Sequence, residues 1–321
     1  MLTVGQVHSW PMEIDTHTGV KALTFTVNGE YLLSASDDKR DIQVWRVEDG
    51  RHIAKMEMTR HFNSVNSLAV SKDGKWIAAA TWAGIIVWDA KTYKQVSVFD
   101  NGTIYAVDFS HNSSRLVSGS YDGTATVWDI ATHKQVLSIH HERTVVAVKY
   151  SPHGGQIVTA IPNSVRIWDS NDGCLLVDIQ VTVTPDYNTG LLWFNDHLFV
   201  VSDRKIKEFE ASSGVTVSEW PATNISGSSC IALSHGKLIA YSTKRAVTFW
   251  DTSTHTQFGL IQYPSDIISI AFSPDTRFLA IGGRDGKITI RNLKDELFPS
   301  YSTVSIVYFI AYQNRHPVRG H

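Results

Sequence analysis

The sequence predicts an all-β fold: a seven-bladed β-propeller of four-stranded antiparallel blades, with the ring closed by an N-terminal strand. Three observations point there. Trp45, Trp88, Trp128, Trp168, Phe209, Trp250 and Arg291 recur at separations of 43, 40, 40, 41, 41 and 41 residues. The runs around them, IQVWRVEDG, IIVWDAKTY, ATVWDIATH, VRIWDSNDG, IKEFEASSG, VTFWDTSTH and ITIRNLKDE, stay in register even where the Trp is lost. Within each period, short alternating apolar and polar runs are separated by turn residues, which is the pattern of strands and not of helices. A unit of this length cannot bury its own apolar face and must stack on its neighbours.

The third unit shows the elements in order. Thr103–Ser110 (TIYAVDFS) alternates, HNSS turns, Arg115–Ser120 (RLVSGS) is a second strand, and Tyr121-Asp122-Gly123 is a tight turn. A third strand runs from Thr124 to Asp129 and a fourth from Gln135 to Ile139. Four antiparallel strands make one blade. The other second strands, YLLSAS, KWIAAAT, QIVTAI, HLFVVS, KLIAYS and RFLAIG, are rich in small residues. That suits strands lying deep between neighbouring sheets, where bulk would force the sheets apart.

Blades are expected near 17–58, 59–100, 101–140, 141–184, 185–222, 223–264 and 265–298, in a single domain over 1–298 with a tail at 299–321. The seventh unit yields only three strands, Ile267–Ser273, Arg277–Gly282 and Lys287–Asn292, before Pro299. The segment 4–16 is expected to supply its fourth strand, joining the two ends of the chain; Pro11 is tolerable on an outermost strand. Val304–Tyr312 competes for the same slot with better strand propensity.

Composition narrows the function classes. With 29 basic and 31 acidic residues and a net charge of −2, no block of like charge marks a nucleic acid or an anionic membrane as the partner. Cys174 and Cys230 lie in apolar contexts and match no metal-ligand spacing, so both are expected to be buried free thiols of a reducing compartment. MLTVGQVHSW lacks the basic and apolar regions of a secretory signal, and the apolar run TVSIVYFIAY is half a membrane span. The expected location is the cytoplasm or the nucleus.

No catalytic residue, metal site or cofactor is expected. His17, Ser34 and Asp38 suggest a Ser-His-Asp set, yet pieces of that spacing recur with the blade period, whereas a triad occurs once. The adjacent His140 and His141 point to opposite faces of a strand and cannot share an ion. Gly282-Gly283-Arg284-Asp285-Gly286 precedes a strand, not a helix, so it is a turn and not a phosphate cradle.

Over about residues 4–294 the chain resembles the WD-repeat β-propellers, on VWDA, VWDI, IWDS and FWDT and on the Asp-Gly turn ahead of the Trp. The resemblance implies a bracing network of His, Ser or Thr, Asp and Trp. His17, Ser34, Asp38 and Trp45 match all four places in the first blade, with one extra residue in the turn. Elsewhere the set is broken: the second blade has Trp82 at the Asp place, and the fourth keeps His141, Thr159 and Trp168 without the Asp-Gly turn.

The resemblance further implies partner contacts on the face where first strands begin and second-to-third-strand turns emerge. Matched places there include Lys21, Asn66, Tyr105, Trp82, Tyr121 and Arg284, and the aromatic Tyr105, Tyr121 and Trp82 stand out because interfaces enrich such residues. Trp82 has a rival role, filling the gap left by the missing bracing set. Trp193 and Trp220 are expected to pack in the core or at blade edges. The expected function is a monomeric, non-catalytic scaffold that binds protein or peptide partners within a multiprotein complex. One alternative is an enzyme or small-ligand binder using the central channel. Another is a ubiquitin-ligase substrate receptor, whose usual Arg two residues after Trp-Asp is absent here.

Overall fold

A computed structural model describes residues 10–36, 40–58, 64–99, 102–183, 190–202, 205–221, 230–234 and 238–297. After β1 (Met12–Asp15), the strands fall into β2–β5 (20–57), β6–β9 (65–99), β10–β13 (104–140), β14–β17 (147–180), β18–β21 (191–221), β22–β25 (231–262) and β26–β28 (267–292). A short helix, α1 (Leu293–Leu297), follows. Each of the first six sets is a four-stranded antiparallel sheet in sequence order, and β1 joins β28 to complete the seventh. No helix among the described residues is long and apolar enough to cross a membrane.

Among the described residues, buried apolar side chains form seven clusters, and each is shared by two adjacent blades. Val158, Ile167 and Leu198 belong to one cluster of the fourth and fifth blades, Leu33, Ile77 and Trp88 to one of the first and second, and Phe249 and Ile281 to one of the sixth and seventh. One face of every sheet packs on the preceding blade and the other on the next, so second and third strands are buried on both sides. Space there is short: a Cβ on Gly282 would lie 2.5 Å from Val20 Cγ1, and one on Gly119 would lie 2.8 Å from Val145 Cγ1. Ala78, Ala79 and Ala80 of β7 (Trp76–Thr81) are fully buried for the same reason.

Ring closure follows the N-terminal route. Met12, Glu13, Ile14 and Asp15 pair antiparallel with Ile290, Thr289, Ile288 and Lys287 of β28 (Lys287–Asn292). Ile14 is buried with Val20, Trp45, Ile288 and Ile290, which seals the seam between the last blade and the first. The pairing strand is shorter than the segment 4–16: it begins at Met12, and residues 4–9, the competing Val304–Tyr312 and the rest of the tail 299–321 lie outside the described residues.

One expectation is overturned for the cysteines. Cys230 is buried, but Cys174 is exposed. The run after Cys174 is β17 (Leu175–Gln180), an outermost strand with one solvent-facing side, where Leu175 and Leu176 are themselves about half exposed. An apolar context there marks a rim and not a core.

Replacing Ile14 by Ala is expected to cost about 2–5 kcal/mol of stability, because the cavity opens at the seam. Glu13→Ala, on the exposed side of the same strand, should change stability by less than about 0.5 kcal/mol. Urea denaturation of the two variants makes the comparison.

Candidate functional site

The face on which first strands begin carries an arc over four consecutive blades. Lys21 lies on β2 (Val20–Phe25), Asn66 on β6 (Val65–Val70), Trp82 follows β7, Tyr105 lies on β10 (Ile104–Phe109), Tyr121 follows β11 (Arg115–Ser120), and Arg284 follows β27 (Phe278–Gly283). Trp82 is 50% exposed and Tyr121 64%. The Tyr105 and Tyr121 ring centroids are 6.3 Å apart at 57°. Lys21 Nζ lies 5.7 Å from the Trp82 ring centroid and donates to Ser64 Oγ at 2.6 Å. The exposed Arg284 stands at the far end of the arc, against Gly19 at the seam between the last blade and the first.

Asn66 departs from its expected role as a contact residue, because it is 96% buried, with a relative exposure of 4%. Its Oδ1 accepts from Trp82 Nε1 at 3.2 Å, and its Nδ2 donates to the Ile104 carbonyl of the next blade at 2.7 Å. A buried amide with both ends satisfied acts as a clamp, so Asn66 sets the Trp82 indole. Each turn is also tied to the next blade: Thr103 Oγ1 donates to the Trp82 carbonyl at 3.1 Å and Thr144 Oγ1 to the Tyr121 carbonyl at 3.0 Å. These ties hold the aromatic side chains on rigid turns.

Beneath this face lie the bracing sets. Trp45 Nε1 donates to Ser34 Oγ at 2.8 Å, Trp128 Nε1 to Ser118 Oγ at 3.0 Å and Trp168 Nε1 to Thr159 Oγ1 at 2.9 Å. In each case the hydroxyl sits two residues beyond the cross-strand partner of the Trp, as Leu32 faces Trp45. Where that place holds Ala79 or Tyr241, the Trp88 and Trp250 indole N–H groups are buried without a partner.

His17 does not brace the first blade. Its side chain is 79% exposed and pairs with Asp15, and Asp38 lies outside the described residues. The reason is a one-residue shift in register. His141, in the fourth blade, donates its backbone N–H to the Gly123 carbonyl; the residue that makes the equivalent bond, to Gly286, is Thr16. Thr16 is buried, with Oγ1 donating to the Gly286 carbonyl at 2.7 Å, and the next residue therefore turns outward. In the second blade Met58 makes the matching backbone bond and packs in one cluster with Ala79 and Trp88. Met58 fills the gap there, and Trp82 is released to the surface.

The fourth blade has the most complete set. His141 Nδ1 is 3.3 Å from the Gly123 carbonyl and Nε2 is 2.9 Å from Thr159 Oγ1, with the imidazole edge-on to Trp168 at 5.2 Å. This geometry accommodates a neutral ring in which Nδ1–H donates to the carbonyl, Nε2 accepts the threonine O–H, and Thr159 Oγ1 accepts from the indole. Burial, and secondarily the Arg166 guanidinium, push the His141 pKa below its ordinary value.

The axial channel, about 170 Å³, is lined by the first strands of all blades. Among the described residues that line it, Lys149 and Tyr105 are the ionisable groups, and Lys149 pairs with Asp108 at 3.3 Å; Asn66, Ser67 and Ser269 stand there beside Ala22, Ala106, Val146, Ala147 and Leu191. Among the described residues no group of three His, Cys, Asp or Glu side chains could hold a metal ion. Trp220 is buried beside Trp250, and Trp193 is half-buried against the core of the fourth and fifth blades.

The family described as WD domain, G-beta repeat matches residues 9–45, 53–89, 93–129, 132–169 and 256–292, more than half of the chain. Relatives include a U3 small nucleolar RNA-associated protein 15 homolog of Xenopus tropicalis, 24% identical over 65% of this chain and 34% of its own length. Periodic tryptophan protein 2 of Arabidopsis thaliana is 21% identical over 55% of this chain and 26% of its own length. Serine-threonine kinase receptor-associated protein of Gallus gallus is 22% identical, over 58% of this chain and 54% of its own length. The chain thus spans between about a quarter and a half of the length of these relatives.

Thr159→Val keeps the shape of the side chain but strands the Trp168 N–H, and should cost about 1–3 kcal/mol in urea denaturation. The depressed His141 pKa also predicts a pH dependence. Its contribution to stability is complete above the unfolded value, near 6.5, and is lost as pH falls from there through the folded value. The slope in that window is at most about 1.4 kcal/mol per pH unit. Denaturation of the wild type and His141→Leu from pH 7.5 to pH 5 should give a shallower decline in the variant.

Proposed function

Because the chain belongs to the WD-repeat family, we propose that it is a non-catalytic scaffold whose aromatic arc docks a protein partner within a multiprotein complex. The observation that carries this reading is the exposure of Trp82 and Tyr121 on turns that Asn66, Thr103 and Thr144 hold in place. Aromatic side chains with one apolar face open to solvent supply large contact area, and little entropy is lost when they are already fixed. An extended segment laying an apolar side chain against Trp82 and Tyr121 fits this arc, with Lys21 beside it.

The axial channel favours this reading over channel chemistry, because the one charged side chain among the described residues that line it, Lys149, is already paired with Asp108. Similarity to U3 small nucleolar RNA-associated protein 15 homologs supports an RNA-associated assembly in the nucleolus as the setting, in place of the cytoplasm. Within such an assembly the net charge of −2 supports contact with protein and not with the RNA backbone.

Affinity purification of the tagged full-length chain with quantitative mass spectrometry tests the arc. Trp82→Ala/Tyr121→Ala should lower the yield of specific partners about tenfold or more, with its thermal midpoint checked against the wild type. Recovery of the same partners at the same yield would overturn the docking role.

A further inference from the structure

On the opposite face, a cleft of about 260 Å³ opens between the third and fourth blades. Ser110, His111, Asn112, Ser114 and Arg115 line it from the third blade, and Tyr150, His153, Gly154, Ser170 and Asn171 from the fourth. Its walls are turn residues, and its floor is the end of β14 (Ala147–Tyr150). Gly154, at φ +79°, lets the fourth-blade turn approach the third; a Cβ there would lie 3.2 Å from His111 Cβ.

The Ser110, Ser114 and Ser170 hydroxyls of this cleft donate to Asn112 Oδ1 and the Gly154 carbonyl, which leaves Tyr150, Arg115 and the Asn112 amide nitrogen as its spare donors. Tyr150 is 94% buried, at a relative exposure of 6%, and its phenolic oxygen has no hydrogen-bond partner. Burial pushes its pKa well above the ordinary phenol range, so the group stays a neutral O–H donor. Arg115 uses one N–H on the Ser170 carbonyl at 3.4 Å, and the Asp129 carboxylate across the strand pair acts on it as a neighbouring charge and not as a hydrogen-bond partner. Asn112 Oδ1 accepts from Ser110 Oγ, Ser114 N and Ser114 Oγ, which turns its Nδ2 away as a further donor. Nearby acids are occupied: Asp108 accepts from Tyr150 N and Lys149, and Asp129 Oδ1 accepts from Thr132.

A buried O–H left unpaired is costly unless something else accepts it. The acceptor that suits a guanidinium, an amide and two imidazoles around a cleft with a phenol buried at its floor is a tetrahedral oxyanion with several oxygens. We propose that this cleft binds a phosphate monoester group. The exposed His111, His153 and Asn171 at the rim leave room for whatever carries the phosphate. The site lies on the face opposite the aromatic arc and stands independently of the docking role.

Isothermal titration of the full chain with inorganic phosphate, O-phosphoserine, and a short phosphoserine peptide beside its unphosphorylated form tests the assignment. The phosphate-bearing probes should bind and the unphosphorylated peptide should not. Tyr150→Phe and Arg115→Gln should each weaken inorganic phosphate about tenfold or more. Without phosphate, Tyr150→Phe should keep or raise the thermal midpoint, since it removes only an unpaired polar group. Tighter binding of the peptide than of inorganic phosphate would mark a phosphorylated protein segment as the source, and equal binding would mark free phosphate. Absence of binding by every probe, or unchanged affinity in both variants, would overturn the site. A lower ligand-free midpoint for Tyr150→Phe would overturn it as well, since the phenol would then already have its partner.

Discussion

Everything in this molecule depends on apolar faces that are shared between blades. No sheet has a core of its own: Val44 and Ile77, Val87 and Phe109, Phe199 and Trp250 are partners across blade boundaries. A chain built this way cannot stop at an open end without exposing two such faces, so the ring must close. Closure is achieved by four residues of β1, and Ile14 is the side chain that carries the shared core across the gap. The remaining geometry follows from that seam, including the approach of Arg284 to Gly19.

Packing of this kind makes hydrogen-bonded bracing optional. Trp88 and Trp250 lie in the same position as Trp45 and Trp168, yet their indole N–H groups are buried and unpaired. Such a group costs about 1–3 kcal/mol. Fully burying a large apolar side chain contributes a comparable amount, about 1.5–3 kcal/mol, so a blade that exchanges a hydroxyl for Ala79 and a histidine for Met58 can still hold. The fourth blade keeps three members of the polar alternative, with His141 and Thr159 bonded to one another and Thr159 to the indole.

The architecture was legible because a blade imposes a period, and even Phe209 and Arg291 keep their place in it. Tyr105, Tyr121 and Trp82 were legible for the same reason, since positions matched by period share a face. What the period could not resolve was a shift of one residue. His17 matches by type, but Thr16 makes the backbone bond that defines the place, and on an extended segment one residue reverses which side is buried. Counting back from the first strand would have shown it: His141 and Tyr263 stand four residues before Val145 and Ile267, as Thr16 does before Val20. Asn66 looked like a surface residue because the turn end of a first strand is usually exposed; it is instead buried, with its amide between the Trp82 indole N–H and the Ile104 carbonyl. The cleft beside Tyr150 carried no sequence signal, since Ser110–Arg115 and Ser151–Gly154 are ordinary turn residues whose convergence exists only once two blades are set side by side.

The second blade joins these points into one argument. In the fourth blade the histidine and the hydroxyl are both engaged in holding the sheet. Met58, Ala79 and Trp88 of the second blade pack by apolar contact, and the turn at position 82 is held by Thr81, whose Oγ1 donates to the Gly84 carbonyl and accepts from the Ala83 N–H. A tryptophan can stand there half exposed, clamped by Asn66 and tied through its carbonyl to Thr103. In this blade apolar packing in the core goes together with a half-exposed aromatic side chain on the face above it, whereas Tyr121 stands exposed over a blade that keeps its Trp128–Ser118 bond.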